Sequence, residues 1–248
     1  MRITRTFTVA IAILATLVAF SVASAKSYSI PEVSIEVTVL PDGSFKFEEA
    51  RTFSFSGSFT FAFYEVEKHT ATGRRAEIED FSIGEGGRPF REARRSEVDE
   101  PRTPGTYWVD YDRGGSVYAK WFYRASSERR TFVTSYVVRS AVAVHDDYAM
   151  LYWKFIGDSW DKPVNRVTGT IHLPPGADRD RVRAWLHTTL TSEYWIVDEQ
   201  TIRFEVDNLP ARKFVEMRVL FPPELVPDCG ERVPGAIWDK AYEDESQW

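Results

Sequence analysis

The chain has a single cysteine and fewer basic than acidic residues. Its single cysteine, Cys229, cannot form a disulfide within the chain, which leaves an intermolecular bridge, a lipid-modified thiol or an incidental thiol. The formal net charge is −6 at pH 7 and falls to −8 if the N-terminal segment with Arg2 and Arg5 is removed. This balance argues against a nucleic-acid partner, because phosphate contacts need clustered Lys and Arg. The fold must therefore rest on apolar burial, and hydrophobic residues make up 43% of the chain.

Motifs that carry chemistry are also scarce. The chain contains no phosphate-binding loop and no dinucleotide fingerprint. His145, Asp146 and Asp147 place an imidazole beside two carboxylates, which leaves two readings open: a metal or acid–base site, or a polar turn. Adjacent residues on a strand point to opposite faces, which favours the turn. We therefore expect no catalytic residue, no metal site and no cofactor.

The N-terminus carries the clearest signal that the sequence does have. Arg2 and Arg5 precede an apolar run at residues 7–22, and the small residues Ala23 to Ala25 follow. This order is typical of a secretory signal peptide, so we predict a signal at residues 1–25, cleavage after Ala25 and an extracytoplasmic location. The apolar run is near the lower length limit for crossing a bilayer, so a retained anchor helix is the alternative.

Beyond the signal, the dominant hydrophobic period is two. Apolar residues alternate with polar ones at 33–39, and the pattern recurs in short stretches as far as Phe221. Turn residues separate these stretches, and no apolar stripe with helical spacing lies between Ser27 and Pro222. We therefore predict an all-β fold, an antiparallel β-sandwich.

Turn residues also suggest where the chain divides. They cluster at residues 157–163, so we predict two packed sandwich-like units, residues 26–158 and 159–227. Residues 84–104 are the least regular and are expected to be exposed and mobile. Residues 228–248 are read as a linker and the start of an acidic helix, because Ala, Trp, Asp and Glu follow the break at Pro234 and Gly235.

Several motifs taken together resemble a known family. They are the signal segment, the extended residues 28–39 with Asp42-Gly43, the strand at 48–51, residues 151–160, Pro163-Val164 and Leu173-Pro174. Over about residues 28–227 the chain resembles the N-terminal extracytoplasmic part of the predicted bacterial membrane proteins called domain of unknown function 2207. The resemblance implies an anchor in the cell membrane through segments that this chain lacks, since nothing after Pro227 is apolar enough to span a bilayer. It implies no activity and no catalytic residue.

Aromatic side chains give the one hint of a ligand. The chain has 8 Trp, 11 Tyr and 17 Phe, and exposed rings on a β-sandwich commonly stack on sugars. Trp160, Tyr194 and Trp195 lie in or near turns, so we consider them a candidate binding platform. Packing of the same rings into the core is the alternative, because aromatic residues favour strands and bury large areas.

The function predicted from the sequence is binding or assembly at the cell envelope, with an envelope protein or a glycan as partner. A carbohydrate-binding protein or a hydrolase acting on polysaccharide is the alternative, since carboxylates such as Glu48 and Glu49 accompany the aromatic residues. Two carboxylates facing each other across an aromatic cleft would favour the hydrolase.

Overall fold

The fold is dominated by β-strands. A computed structural model of the chain describes residues 26–98, 102–188 and 192–247, so the signal peptide predicted at residues 1–25 lies outside the described residues. The strands are β1 (Ser27–Val39), β2 (Phe45–Ser56), β3 (Ser58–Glu67), β4 (Glu77–Glu85), β5 (Arg88–Pro89), β6 (Arg91–Glu92), β7 (Thr106–Arg113), β8 (Ser116–Ser126), β9 (Arg129–Arg139), β10 (Val142–Val144), β11 (Ala149–Ile156), β12 (Val164–His172), β13 (Arg183–His187), β14 (Ser192–Ile196), β15 (Thr201–Leu209) and β16 (Val215–Phe221). The helices are α1 (Arg95–Val98) and α2 (Trp238–Ser246), with 3-10 turns at Arg179–Arg181 and Pro223–Leu225.

An eight-stranded sheet forms one layer of the molecule. Its order is β14-β15-β12-β1-β2-β9-β4-β5, and the central strand β1 pairs antiparallel with β2 and parallel with β12. Alternate residues of β1 and β2 are buried, which is the period of two read from the sequence. One face of this sheet is therefore apolar and needs a cover.

Two four-stranded sheets, β10-β11-β16-β13 and β3-β8-β7-β6, supply that cover. Phe45 of β2 meets Trp153 of β11 edge to face, with ring centroids 5.3 Å apart. Phe132 of β9 meets Trp121 of β8 in the same way at 5.6 Å. Both contacts belong to one buried cluster that joins all three sheets. The predicted all-β sandwich is confirmed, with its second layer split into two sheets.

Strand pairs cross the boundary predicted between residues 158 and 159. β1 lies in the first predicted unit and β12 in the second, yet they pair over eight positions. Likewise, β11 from the first unit pairs with β16 from the second. The division at residue 158 therefore does not coincide with a division between sheets, because residues 157–163 carry the chain from a small sheet into the large one.

A second connection breaks a stretch that looks continuous in sequence. Residues 131–144 read as one strand, but Ser140 adopts a φ of +54° and ends β9. Arg74 donates hydrogen bonds to the carbonyl oxygens of Ser140 and Ala141 at 2.8 and 3.0 Å, which fixes this break. The chain thereby leaves the large sheet and enters the β10-β11-β16-β13 sheet.

The region predicted to be irregular, residues 84–104, contains short strands and one short helix. The end of β4, then β5, β6 and α1 occupy it, and most of its described residues are exposed. Residues 99–101 lie outside the described part. The prediction that this region is mobile stays a prediction.

The acidic tail forms the predicted C-terminal helix. Ala241 of α2 and Ile237, the residue before the helix, are buried against Met150 and Leu220 on the outer side of the β10-β11-β16-β13 sheet. Asp147 accepts hydrogen bonds from the backbone amides of Ile237 and Trp238 at 2.7 and 3.0 Å. These bonds satisfy amides that a helix start leaves unpaired.

A buried charged group also holds α2. His187 on β13 contacts Glu245 of α2 at 2.6 Å and Glu216 of β16 at 3.4 Å. Burial alone would lower the pKa of His187, but its hydrogen bonds to Glu216 and Glu245 raise it to about 9. The imidazole is therefore cationic at neutral pH and links the helix to the sheet. No helix within the described ranges is long and apolar enough to cross a membrane.

Candidate binding groove

An open groove of about 470 Å³ runs along strand β3. Every residue from Phe59 to Glu65 lines it, and the opposite wall comes from the start of β1, from β2 and from the loop at residues 159–161. β3 is the terminal strand of its sheet and pairs only with β8 among the described residues. Alternate backbone N–H and C=O groups of such a strand point away from its partner. The free edge of β3 therefore lies along the groove.

The groove walls are built from aromatic rings. Phe55 and Phe59 lie 4.7 Å apart between ring centroids, and Phe55 and Tyr123 lie 5.6 Å apart. Tyr28 meets Phe59 edge to face at 5.9 Å. Phe61 and Phe63 continue the wall and are 39% and 52% exposed, which is high for residues of their size. The groove thus offers a mainly apolar surface to a ligand.

A buried ion pair lies beneath one end of the groove. Glu49 and Arg51 follow each other at alternate positions of β2, and Glu49 Oε1 accepts a hydrogen bond from Arg51 Nε at 2.6 Å. The second oxygen, Oε2, accepts one from the hydroxyl of Tyr64 at 3.0 Å. The guanidinium lies 3.5 Å from the ring centroid of Trp160. Arg51 Nη1 and Nη2 have no acceptor among the described residues, and the face of Trp160 adds a cation–π contact to the attraction of Glu49.

Burial and nearby carboxylates raise the pKa values of two tyrosines in the groove further above neutral pH. Burial, followed by the nearby charge of Glu49, raises the pKa of Tyr64 well above its usual value. Burial and then Asp161, which accepts a hydrogen bond from Tyr28 at 3.1 Å, raise the pKa of Tyr28 to about 12. Both hydroxyl groups therefore stay protonated and act as hydrogen-bond donors at neutral pH.

Two lysines stand at the rim of the groove. Lys26 Nζ lies 5.0 Å from the ring centroid of Phe59, and Lys162 Nζ lies 5.5 Å from that of Tyr28. The carboxylates that line the groove are Glu65 and Asp161, and Asp161 is already bonded to Tyr28. A smaller cavity of about 170 Å³ shares Tyr64 and Trp160 as its wall and extends toward Lys154.

The structure separates the three residues of the predicted aromatic platform. Trp160 lies in the groove wall, with one side against Arg51 and a ring contact to Tyr64 at 6.0 Å. Tyr194 and Trp195 are adjacent on β14, an edge strand of the large sheet, and are 41% and 42% exposed. As neighbours on a strand they point to opposite faces. Their role in binding a ligand stays a prediction.

The other candidates from the sequence lie away from the groove. Asp147 caps α2, and Asp146 accepts a hydrogen bond from the amide of Gly235 at 3.0 Å, so His145 to Asp147 connect to the tail. Cys229 is buried and packs against Gly43. No group of three or more His, Cys, Asp or Glu side chains that could hold a metal occurs in the part of the chain that the structure describes.

Sequence reasoning missed the buried pair, although one signal was available. The sequence pattern treats Glu48 and Glu49 alike, as two carboxylates that could serve a hydrolase, whereas Glu48 is exposed and Glu49 is 1% exposed. Glu49 and Arg51 share the parity of Phe47 and Phe53, which lie on the buried face of β2. Two opposite charges at alternate positions of an apolar strand face are therefore the pattern that identifies such a pair.

Solved structures resemble the chain only distantly. Yeast LTA4 hydrolase has 8% identity and a TM-score of 0.45, with 77% of this chain and 28% of that chain covered. An M1 zinc metallopeptidase from Deinococcus radiodurans has 7% identity and a TM-score of 0.42, with 77% and 42% covered. A candidate nutrient binding protein from Legionella pneumophila has 9% identity and a TM-score of 0.47, with 77% and 66% covered. The chain spans less than two thirds of each, and at these TM-scores we draw no conclusion from them.

Sequence comparison identifies the family. No curated protein matches the chain. A family model described as "Predicted membrane protein (DUF2207) N-terminal domain" matches residues 29–221. This match covers all but the first two residues of β1 and then every strand as far as the end of β16. The chain therefore belongs to the DUF2207 family of predicted membrane proteins.

Proposed function

We propose that this chain is the extracytoplasmic binding module of a membrane-anchored protein, and that it takes an extended, apolar peptide segment of an envelope partner into the groove along β3. The free edge of β3 beside a groove lined by all residues from Phe59 to Glu65 is the observation that carries this proposal. An added strand would satisfy the outward N–H and C=O groups of β3 that have no partner, and its alternate side chains would enter the groove. The carbonyl oxygen of Phe61 already accepts a hydrogen bond from the hydroxyl of Tyr123 at 3.2 Å.

The composition of the groove favours an apolar peptide over a sugar. Five phenylalanines line it, and the hydroxyl of Tyr28 is already bonded to Asp161. Sugar hydroxyl groups buried there would lose water without gaining enough hydrogen bonds. The face of Trp160 against Arg51 is also covered and cannot stack on a ring. A peptide brings its own backbone donors and acceptors to the strand edge, so it avoids this cost.

A displayed library of random nonapeptides tests the ligand class. We expect selection on the purified protein to enrich peptides with apolar residues at alternate positions. Thr60→Trp fills the groove from an exposed position, so it should abolish binding of the selected peptides, while Thr38→Trp, on an exposed position of β1, should not. Peptides that bind the Thr60→Trp variant as well as the unchanged protein would contradict the proposal.

Backbone pairing has its own test. A selected peptide with alternate amides N-methylated keeps its side chains but loses half of its backbone donors. We expect at least tenfold weaker binding for one of the two methylation registers and slower amide exchange in β3 when the unmethylated peptide is bound. Equal binding of both methylated forms would show that the groove holds the ligand without adding a strand.

The extracytoplasmic orientation is tested on cells. Protease added outside intact cells of the native host, with the cell wall removed, should cleave the domain while a cytoplasmic marker protein stays whole. Fractionation should place the domain with the membranes. Cleavage that begins only after lysis would contradict the orientation.

A further inference from the structure

The outer face of the β3-β8-β7-β6 sheet carries aromatic rings beneath cationic side chains. Phe61 lies opposite Phe122 on β8, and Phe63 and Trp108 both lie opposite Lys120, so these residues share one face. Tyr118 extends the row, with its ring centroid 5.9 Å from that of Phe63 and 6.0 Å from that of Trp108. We call this surface the aromatic–cationic face.

Four cations cover these rings. Lys120 Nζ lies 4.4 Å from the ring centroid of Phe61, and Arg113 Cζ lies 4.1 Å from that of Tyr118. The other two are Arg102 over Phe61 at 5.7 Å and Arg95 over Trp108 at 5.2 Å. Amphipathic rings beside Lys and Arg are the composition of protein surfaces at membrane–water interfaces.

The four cations of this face lie close together. None of them forms an ion pair within the described residues; the same holds for Lys46 and Arg203 on the large sheet, while Arg139 and Arg166 there pair with carboxylates. Glu65 and Asp110 are the acids directly opposite Tyr118, at the end of the row away from Phe61. Within the described ranges these four cations thus lie together without a carboxylate partner, which fits an anionic partner.

We propose that the aromatic–cationic face docks on a bilayer that contains anionic phospholipids. Phe61, Phe63 and Trp108 enter the interfacial layer, while Lys120 and Arg113 contact lipid phosphates. Membership in a family of predicted membrane proteins places a bilayer within reach of the domain. The aromatic–cationic face shares Phe61 and Phe63 with the rim of the groove, whereas Lys120, Arg113 and Trp108 do not line the groove. Substitutions at these last three residues therefore test bilayer docking apart from peptide binding.

Vesicle sedimentation tests the proposal. The purified protein is mixed with vesicles of phosphatidylcholine alone or with 30% phosphatidylglycerol, at low and high salt. We expect binding only to the anionic vesicles and release by salt, because headgroup attraction is screened. Lys120→Gln with Arg113→Gln should weaken this binding about 30-fold, the loss expected from two basic side chains near an anionic surface.

A matched pair of substitutions separates this face from net charge. Arg139→Gln with Arg166→Gln also removes two positive charges, but from the large sheet, and we expect it to weaken vesicle binding less than threefold. Trp108→Ser, which leaves the groove lining unchanged, should also release the protein, whereas Tyr242→Ser, at an exposed aromatic residue of α2, should not. Thermal unfolding of each variant shows whether it is folded.

Three results would overturn the proposal. The first is no binding to anionic vesicles at low salt. The second is an equal loss of binding in the Lys120 and Arg113 double variant and in the Arg139 and Arg166 double variant. The third is self-association of the protein that the Lys120 and Arg113 substitutions abolish. The last would identify a second copy of the chain as the occupant. Peptide binding that persists in the Lys120 and Arg113 variant would leave the groove proposal intact, so the two proposals fail separately.

Discussion

Replacing Glu49 with Gln would leave the guanidinium of Arg51 buried without its carboxylate. The side chains of Glu49 and Arg51 are 1% and 4% exposed, and Arg51 Nη1 and Nη2 have no other acceptor among the described residues. Breaking a buried pair at one partner costs about 3–5 kcal/mol, because the remaining charge stays desolvated. We therefore expect the free energy of unfolding to fall by about that amount, and Tm by roughly 10 °C.

Urea unfolding at pH 7, followed by fluorescence and circular dichroism, measures this loss. The double variant Glu49→Leu with Arg51→Met removes both charges and keeps an apolar interior, so it should unfold within about 1 kcal/mol of the unchanged protein. Arg139→Met, in an exposed pair with Asp42 and Glu79, should cost much less stability than Glu49→Gln, because exposed ion pairs are screened by water. A Glu49→Gln variant as stable as Arg139→Met would refute the reasoning.

Three further predictions concern the rest of the fold. Raising the pH from 6.5 to 9 should remove about 3 kcal/mol of stability, because folding raises the pKa of His187 from 6.5 to about 9 and so stabilises its protonated form. Urea unfolding at about pH 6 and about pH 9.5 measures this loss, and His187→Gln should reduce the difference between the two pH values. Gly43→Ala should cost about 2–4 kcal/mol, since φ is +76° and a Cβ would lie 2.4 Å from Cys229 Sγ; urea unfolding should show partial rescue by Cys229→Ala. Asp147→Ala should cost about 0.5–2 kcal/mol and speed amide exchange in α2, whereas unchanged exchange there would contradict its capping role.

Local patterns were sufficient to predict the strands. The alternation at residues 33–39 reports burial on one face of β1, and Asp42 with Gly43 makes the turn into β2. Each of these features depends on near neighbours in the chain, so it can be read from a short window. The acidic start of α2 was predictable for the same reason.

The arrangement of strands into sheets was not predictable in the same way. The parallel pairing of β1 with β12 joins residues more than 120 positions apart and depends on how the whole core packs. Alternation cannot show which sheet a strand enters, since the strands of all three sheets bury at least one face. The break at Ser140 is equally hidden, because it requires Arg74 from a distant loop.

The groove combines segments that only the fold brings together. Its walls come from β1, β2, β3 and the loop at residues 159–161, and the Glu49–Arg51 pair lies where these segments meet. Tyr64 on β3 bonds to Glu49, and Trp160 in the loop stacks on Arg51, so one ion pair on β2 positions both walls. An apolar cluster alone could pack in several ways, whereas these bonds have fixed directions. The buried pair is therefore better explained as a device that holds the groove open beside β3 than as a source of net stability.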